Sequence, residues 1–363
     1  MSFFPEALHA LKPEKKNLEF CLIDYSFFPA IESERSMMMK APWVTYRPEL
    51  KVLDCTIRDG GLMNNHQFAN DFVKAVYEAC VEAGLDYMEI GYKNSKRLFP
   101  KEKFGPFRHS DEEDIRRVTG NHDSKSTGLK LAVMADAGKS DWKTDILPKD
   151  QSVLDMIRVA CYVDQIPEAV EMIHDAHEKG YETSCNLMAI STVQHAEIDQ
   201  ALEVIAATPV DVIVVVDSFG AFYREQLDIL MGKYLDAVKG TAKQVGIHAH
   251  NNQQLAFANT IEAIILGANR VDATMAGLGR GAGNCPMELL IGFLRNPKFK
   301  RRPVWKLLQD QFVKLRESLE WGPLAPYIIT GQHNRHPRAA MELRAGADKD
   351  NYVDFYDKIV GDI

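Results

Sequence analysis

The chain has 363 residues, of which 46% are hydrophobic and 26% are charged, and its formal net charge is −8. This composition is typical of a folded globular protein and excludes a disordered chain, a collagen-like chain and a small disulfide scaffold. The acidic balance argues against nucleic acid as a partner, because a phosphate backbone selects clustered lysine and arginine. A local basic pocket for a small anion remains compatible with it.

Residues 1–45 precede the first regular pattern and carry aromatic clusters at 3–4 and 27–28. We expect them to form an N-terminal extension. They lack the basic start and apolar stretch of a secretory signal, and no run in the chain approaches the roughly 18 apolar residues of a membrane span. We therefore expect a cytoplasmic protein with no membrane partner.

From residue 51 onward, short apolar runs rich in β-branched residues alternate with longer helical patterns. Continuous runs such as 212–216 suit a parallel sheet that is buried on both faces. Eight βα units in about 245 residues predict a (β/α)8 TIM barrel, with an open doubly wound sheet as the alternative. The predicted strands are 51–56, 86–92, 129–136, 156–163, 183–189, 210–217, 244–250 and 268–275.

The predicted helices end at glycines. One apolar stripe with helical spacing leads to Gly84, and a second leads to Gly267. We expect the barrel to occupy residues 46–298 and a C-terminal helical segment to occupy residues 299–363.

The segment 92–128 is long for a connection and would lie at the C-terminal end of the second strand. Ser110 and Glu113 have the spacing of a capping box and predict the start of a helix. The basic residues of the segment are interpreted either as a solvated loop or as a positively charged lid over an anionic substrate. They are Lys93, Lys96, Arg97, Lys101, Lys103 and Arg108.

Cysteines are scattered through the chain without a CxxC pair, and four of them lie in apolar runs. This usage indicates reduced core cysteines. The six are Cys21, Cys55, Cys80, Cys161, Cys185 and Cys285.

Unusual polar residues gather where predicted strands end. Arg58 and Asp59 follow the first strand, and His248 and His250 end the seventh. Residues i and i+2 of a strand point the same way, so both imidazoles can face the barrel axis while Ala249 faces the helices. Two imidazoles and one carboxylate at one rim predict a divalent-metal site.

A glycine-rich loop over 277–286 follows the eighth strand and contains Gly279 and Asn284. Glycines let the backbone approach a ligand closely, although such a loop is also compatible with a tight turn. Its position beside the other two motifs is what connects it with the site.

The order LDCTIRDGG, YMEIGY, HAHNN and AGLGRGAGNCPMELL resembles the DRE-TIM metallolyase superfamily over about residues 50–295. The resemblance implies a TIM barrel that binds Mn²⁺ or Mg²⁺. By match of motif, it implies that the metal ligands are Asp59, His248, His250 and Asn284.

The same resemblance implies roles for residues around the metal. Arg58 would lie beside the substrate oxygen, and Glu89, at the second strand, would orient either Arg58 or a metal-bound water. We also assign Tyr92, Asp217 and Gly279 to the substrate. A divalent ion and Arg58 would stabilise the enolate that forms next to the carbonyl of a 2-oxo acid.

The chain most resembles the hydroxy-oxoacid aldolases, which implies a small 2-oxo acid substrate, and we expect a homo-oligomer. One position departs from that branch. Its members carry a catalytic histidine four residues after the motif arginine, and the condensing synthases usually carry glutamine, whereas this chain has Leu62. We assign proton transfer to His66, with four other residues as alternatives. These are Tyr92, Tyr327, His333 and His336.

The pattern leaves two further functions open. One is a Claisen-type synthase that joins an acyl-CoA to a 2-oxo acid, and the other is a barrel subunit without catalysis. The related aldolases act with an acylating aldehyde dehydrogenase through a C-terminal helical segment. Because the tail of this chain ends differently, the dehydrogenase partner is not carried over to it.

Overall fold

In the computed structural model, which describes residues 47–361, eight parallel strands close into a barrel in strict chain order. The first strand pairs with both the second and the eighth, so the TIM barrel is confirmed and the open sheet is excluded. The strands are β1 (Lys51–Asp54), β2 (Tyr87–Tyr92), β3 (Lys130–Asp136), β4 (Met156–Cys161), β5 (Glu182–Leu187), β6 (Val212–Asp217), β7 (Gln244–Ala249) and β8 (Arg270–Ala273). The predicted N-terminal extension lies outside the described residues.

Helices fill the connections between the strands and form the C-terminal segment. A π turn over Leu308–Phe312 joins α11 to α12. In chain order the helices are α1 (Thr56–Gly60), α2 (Asn70–Ala83), α3 (Glu112–Thr119), α4 (Ser124–Thr127), α5 (Trp142–Asp145), α6 (Ile166–Glu178), α7 (His195–Ala206), α8 (Arg224–Ala237), α9 (Ala256–Leu266), α10 (Met287–Leu294), α11 (Arg301–Leu307), α12 (Val313–Leu315), α13 (Ala325–Gln332), α14 (Arg338–Ala345) and α15 (Tyr352–Gly361).

The barrel has two apolar layers because successive strand residues face opposite sides. In β6, Val212, Val214 and Val216 pack inside the barrel, whereas Ile213 and Val215 join the core between the strands and the helices. No strand face is therefore left to solvent, which explains the continuous Val/Ile run. Among the described helices, none combines the length and apolar character that crossing a bilayer requires. The five described cysteines are free and buried, as expected, and Cys21 lies outside the described residues.

The segment 92–128 packs against the barrel instead of standing free as a loop. Lys93 is buried and donates to the carbonyl of Ser110, and Arg108 is buried with its guanidinium 4.7 Å from the ring centre of Tyr92. The predicted capping box is wrong. Ser110 has a positive φ of 45° and its hydroxyl donates to the carbonyl of Phe107, so α3 begins after it, at Glu112.

The C-terminal segment packs onto the barrel rim. The ring of Tyr327 in α13 would stand 3.1 Å from a Cβ at Gly281, in the glycine-rich loop. This contact places the turn after α13, which contains His336, beside the mouth of the barrel.

Substitution of Gly84 tests the end of α2. Gly84 has a φ of +72°, and an added Cβ would lie 2.8 Å from the carbonyl oxygen of Lys298. Gly84→Ala should lower the free energy of unfolding by about 1–2 kcal/mol, because L-residues are strained in the left-handed region. Urea unfolding measures the change. The control is Gly232→Ala in α8, where an added Cβ meets open space and should raise the value by about 0.5–1 kcal/mol; equal effects at both positions would contradict a strained left-handed end of α2.

Candidate metal centre and active site

Three ligand-type side chains meet at the C-terminal end of the barrel. Asp59 lies in α1, directly after β1, and His248 and His250 lie at the end of β7. The Oδ2 atom of Asp59 is 3.5 Å from Nε2 of His248 and 3.8 Å from Nε2 of His250. All three residues are buried, and their ligand atoms lie within 4.8 Å of one another. Ala249 packs with the outer core, so the alternation predicted for β7 places both imidazoles inside the barrel.

Asn284 reaches the same place from the loop after β8. Both of its side-chain amide atoms are buried and have no hydrogen-bond partner within the described chain. Gly279 makes room for it, since a Cβ there would stand 2.1 Å from the amide nitrogen of Asn284 and 2.8 Å from Oδ1 of Asp59. The absence of a side chain at Gly279 therefore leaves room for Asn284 beside Asp59. Gly279 does not itself line the cavity described below.

The protonation of Asp59 and His250 suits a cation. Against the effect of burial, hydrogen bonds to Asp272 and Asp59 raise the pKa of His248, which must lose its proton to act as a ligand. Burial opposes ionisation, but the Arg58 guanidinium and the two imidazoles hold the pKa of Asp59 well below its usual range. Burial lowers the pKa of His250 well below its usual range, so its imidazole is neutral and can act as a ligand. The buried Nε2 of His248 and both amide atoms of Asn284 lack hydrogen-bond partners, so the donor set fits a divalent ion.

A second cluster, formed by Cys55, His248 and Asp272, fits a metal less well. Burial raises the pKa of the Cys55 thiol well above its ordinary value, so the sulfur keeps its proton. Asp272 is already engaged by two partners, described next. Asp59, His248 and His250 are therefore the better candidate ligands, with Asn284 beside them, and we refer to these four residues as the metal centre.

Behind the metal centre lies a closed ring of buried charges, which we call the charge ring. It consists of Asp59, Arg58, Glu89, Arg158, Asp272 and His248. Arg58 donates from Nη1 to Asp59 at 2.5 Å and from Nε to Glu89 at 2.6 Å. The Nη1 atom of Arg158 lies 3.0 Å from Glu89.

The ring closes through His248. Arg158 donates from Nη2 to Asp272 at 2.6 Å, and Nδ1 of His248 lies 3.0 Å from the same carboxylate oxygen. A carboxylate at Nδ1 makes that nitrogen the donor and leaves Nε2 free to act as a ligand. Sequence reasoning placed Glu89 against Arg58 but missed Arg158 and Asp272. A charged residue inside a buried strand was the available signal for both.

The metal centre opens into a cavity of about 520 Å³, counted out to the solvent at its mouth. Leu62, the departure from the aldolase pattern, lines it, so an apolar side chain faces the cavity. The other lining residues are Arg58, Asp59, Tyr92, Met134, Ala160, Tyr162, Asn186, Met188, Ala189, Val216, Ser218, Phe219, His248, His250, Arg280 and His336.

His66 lies behind this cavity wall and does not line it. Its ring packs edge-on against Tyr92, and Nε2 donates to the carbonyl of Arg58 at 3.0 Å. Burial, followed by the charge of Arg108, lowers the pKa of His66 to about 3. A neutral imidazole in this place supports the backbone of α1 and is not placed to exchange a proton with a substrate.

Asp217 faces the helices, not the barrel axis, because it alternates with the inward Val216. Its carboxylate accepts the backbone N–H groups of Ala221 and Phe222 at 2.8 and 3.2 Å. It shapes the turn after β6 and is absent from the cavity lining. Burial raises its pKa to about 7, against these hydrogen bonds.

Of the other proton-transfer candidates, Tyr327 and His333 do not line the cavity, whereas Tyr92 and His336 do. The basic residues of the segment 92–128 are also absent from the lining, so the lid interpretation gains no support. Sequence reasoning missed Arg280, whose side chain lines the cavity. Its place between glycines in the 277–286 loop was the available signal.

The family model described as HMGL-like matches residues 49–309. The chain belongs to the HMGL-like family. Members of this family are divalent-metal-dependent enzymes that break or form carbon–carbon bonds, and this chain is a lyase of that kind.

Two curated relatives agree with membership of the HMGL-like family. The chain is 31% identical over 260 residues to the oxaloacetate decarboxylase of Mycobacterium tuberculosis, covering 71% of this chain and 73% of that protein. It is also 31% identical over 253 residues to the 4-hydroxy-2-oxovalerate aldolase of Pelotomaculum thermopropionicum, covering 70% and 72%.

Among solved structures, the N-terminal domain of a putative aldolase from Bacteroides vulgatus superposes with a TM-score of 0.68 at 28% identity. The match covers 84% of this chain and all of that one. The structure of this HMGL-like chain is thus similar to that solved domain over most of the chain's length.

Substitution of Asp272 in this HMGL-like chain tests whether the charge ring orients His248 as a metal ligand. Asp272→Asn should weaken Mn²⁺ binding by about 10- to 100-fold, because the carboxylate that orients a ligating histidine is lost. Isothermal titration with Mn²⁺ measures the affinity. The control is Asp199→Asn, on an exposed carboxylate that pairs with Lys233; an Asp272 variant that is folded and binds Mn²⁺ like the control would refute the assignment.

Proposed function

We propose that the chain is an aldolase that cleaves or forms a 4-hydroxy-2-oxo acid with Mn²⁺ or Mg²⁺ at the metal centre. The supporting observation is the convergence of Asp59, His248 and His250 at a cavity, beside the unpartnered Nη2 atom of Arg58. The names of the curated relatives agree with a small 2-oxo acid as the substrate.

The ion would be held by Asp59, His248, His250 and Asn284. A set that mixes carboxylate and amide oxygens with imidazoles suits Mn²⁺ or Mg²⁺. When bound, the ion supplies Lewis-acid stabilisation of the negative charge that develops on the 2-oxo group.

Arg58 would supply the second stabilising charge. Asp59 and Glu89 hold its Nη1 and Nε atoms, which leaves Nη2 as a buried donor without a partner. A donor held in place by two carboxylates needs no reorganisation when the enolate oxygen forms, and such preorganised donors give the largest stabilisation. Glu89 is then a positioning residue for Arg58.

Tyr92 would donate a hydrogen bond to the substrate from a position beside Arg58. Its ring centre lies 5.9 Å from the Arg58 guanidinium carbon. Burial raises the pKa of Tyr92 to about 12, in spite of Arg58 and Arg108. The hydroxyl therefore keeps its proton at neutral pH and can donate a hydrogen bond to the substrate.

Leu62 favours a second candidate function, decarboxylation of a 2-oxo acid. Aldol cleavage must remove the proton of the 4-hydroxyl group, and an apolar residue faces the cavity at the position where related aldolases have their histidine. Loss of a C4 carboxylate as CO₂ breaks the C3–C4 bond, and its electron pair gives the same kind of enolate without removal of a hydroxyl proton. The relative named as an oxaloacetate decarboxylase fits this candidate.

The first test measures products and their dependence on metal. Protein treated with a chelator should release no pyruvate from 4-hydroxy-2-oxo acids, and Mn²⁺ or Mg²⁺ should restore the release. His248→Ala should not be restored, whereas His195→Ala, on an exposed helix start, should behave like the unmodified protein. Release of CO₂ from oxaloacetate alone would select the decarboxylase. Metal-independent turnover, or thiol release from an acyl-CoA, would refute both candidates.

The second test concerns Tyr92. Tyr92→Phe should lower kcat by about 10- to 100-fold through loss of one hydrogen bond to a developing charge. Because the pKa is raised, the hydroxyl is protonated throughout the range from pH 6 to about 9, so the loss should be constant over that range. Steady-state rates across pH measure it. A loss confined to the alkaline side would contradict the donor role.

A further inference from the structure

The cationic side chain of Arg280 lines the cavity, and among the described residues no carboxylate forms an ion pair with it. Its Nη2 donates to the carbonyl of Ser218 at 2.6 Å, and its backbone N–H donates to Asp59 at 2.7 Å. Its Nε is buried and has no hydrogen-bond partner, and within residues 47–361 its guanidinium forms no ion pair. Arg58 and Arg158, by contrast, each contact two carboxylates.

His336 presents a second donor to the same place. Its Nδ1 accepts the backbone N–H of Arg338 at 3.0 Å, so the neutral ring carries its proton on Nε2. That Nε2 lies 3.4 Å from Nη1 of Arg280. Two donors cannot satisfy each other, and both lie at the wall of the cavity, so an acceptor oxygen between them would satisfy both.

The charge balance of the cavity also calls for a second negative group. With His248 neutral, as a metal ligand must be, the charge ring sets two arginines against three carboxylates, which leaves one net negative charge. A divalent ion reverses that to one positive charge, which matches the carboxylate of a 2-oxo acid. Arg280 adds a further positive charge, which such a carboxylate does not neutralise.

The barrel order separates this place from Tyr92. The Arg280 guanidinium is anchored to Ser218, which follows β6, whereas Tyr92 ends β2. In a closed ring of eight strands, β2 and β6 lie opposite each other. The donors of Arg280 and His336 therefore face the end of the substrate that is distant from Tyr92. Burial, and then the charges of Arg280, Arg338 and Lys139, lower the pKa of His336 to about 4, so the ring stays neutral, and Arg280 is the one of these three cations that lines the cavity.

We propose that Arg280 and His336 form a subsite for a second carboxylate, so that the substrate is a 2-oxo acid with a carboxylate at each end. This inference rests on the proposed function and narrows its substrate class. Arg280 supplies the charge and Nε2 of His336 supplies one neutral hydrogen bond. One cation matches a carboxylate with its single charge.

The test compares two acids of equal chain length, 2-oxoglutarate and 2-oxopentanoate, which differ only in the distal carboxylate. Isothermal titration of each into the Mn²⁺-loaded protein gives their affinities. We expect 2-oxoglutarate to bind about 10- to 100-fold more tightly, the range of one charged hydrogen-bonded pair. Arg280→Met should abolish this preference and leave 2-oxopentanoate within about 2-fold of its original affinity.

Two further variants make the result specific. His336→Phe keeps the ring packed on Phe219 and leaves Arg280 in place, so it should lower the preference by about 3- to 10-fold even if Arg280→Met does not fold. Arg97→Met removes an exposed charge of the segment 92–128 and should keep the full preference.

The outcomes separate the two proposals. Equal binding of both acids by the unmodified protein overturns the second subsite and leaves the proposed function standing. A preference that survives Arg280→Met and His336→Phe but is lost in Arg97→Met overturns the subsite in favour of the segment 92–128. Failure to bind either acid in the presence of Mn²⁺ overturns the proposed function and this inference with it.

Discussion

The rest of the structure depends on the charge ring at the end of the barrel, where two arginines meet three carboxylates away from water. Taking such charges out of water is costly, and the cost is offset only when each group has its partners in good geometry. The partners come from β2, β4, β7 and β8 and from the helix after β1, so the ring closes only when the barrel does. Loss of one member would leave an uncompensated buried charge, which typically costs about 3–5 kcal/mol.

The ring also prepares the chemistry. It holds Arg58 by two of its three nitrogens and leaves the third buried without a hydrogen-bond partner, and it keeps Nε2 of His248 directed at Asp59. With His248 neutral, the two arginines and three carboxylates leave one net negative charge, which favours a cation. Arg280 stands outside the ring, so the paired arginines position the reacting centre whereas the unpaired one is available to a ligand. Arginine thus has two roles at this site. With carboxylate partners it positions the reacting centre, and without them it can bind a ligand.

Much of the fold could be predicted because its signals are local. Continuous apolar runs rich in β-branched residues identified the strands, and the i, i+2 spacing of His248 and His250 placed both imidazoles inside the barrel. The same local logic failed where a residue's neighbours in the chain were not its neighbours in space. Asp217 ends β6, and Asp59 follows shortly after the end of β1. The side chain of Asp217 nevertheless faces the helices, and its carboxylate holds the turn after β6. His66 shares a loop with Arg58 but packs behind Tyr92. Ser110 has capping-box spacing but adopts a positive φ, which moves the start of α3 beyond it.

The sequence by itself determined the barrel, the cluster of ligand-type side chains and the family, because strand period, strand-end motifs and their order along the chain carry that information. Only the tertiary structure decided which charges are paired. Arg158 meets Asp272 across 114 residues, and Arg280 meets Ser218 and His336 from separate elements. No spacing encodes such contacts, since they depend on how β-strand order and the C-terminal helices bring distant side chains to one rim. That packing alone determines whether a charged residue supports the site or binds the substrate.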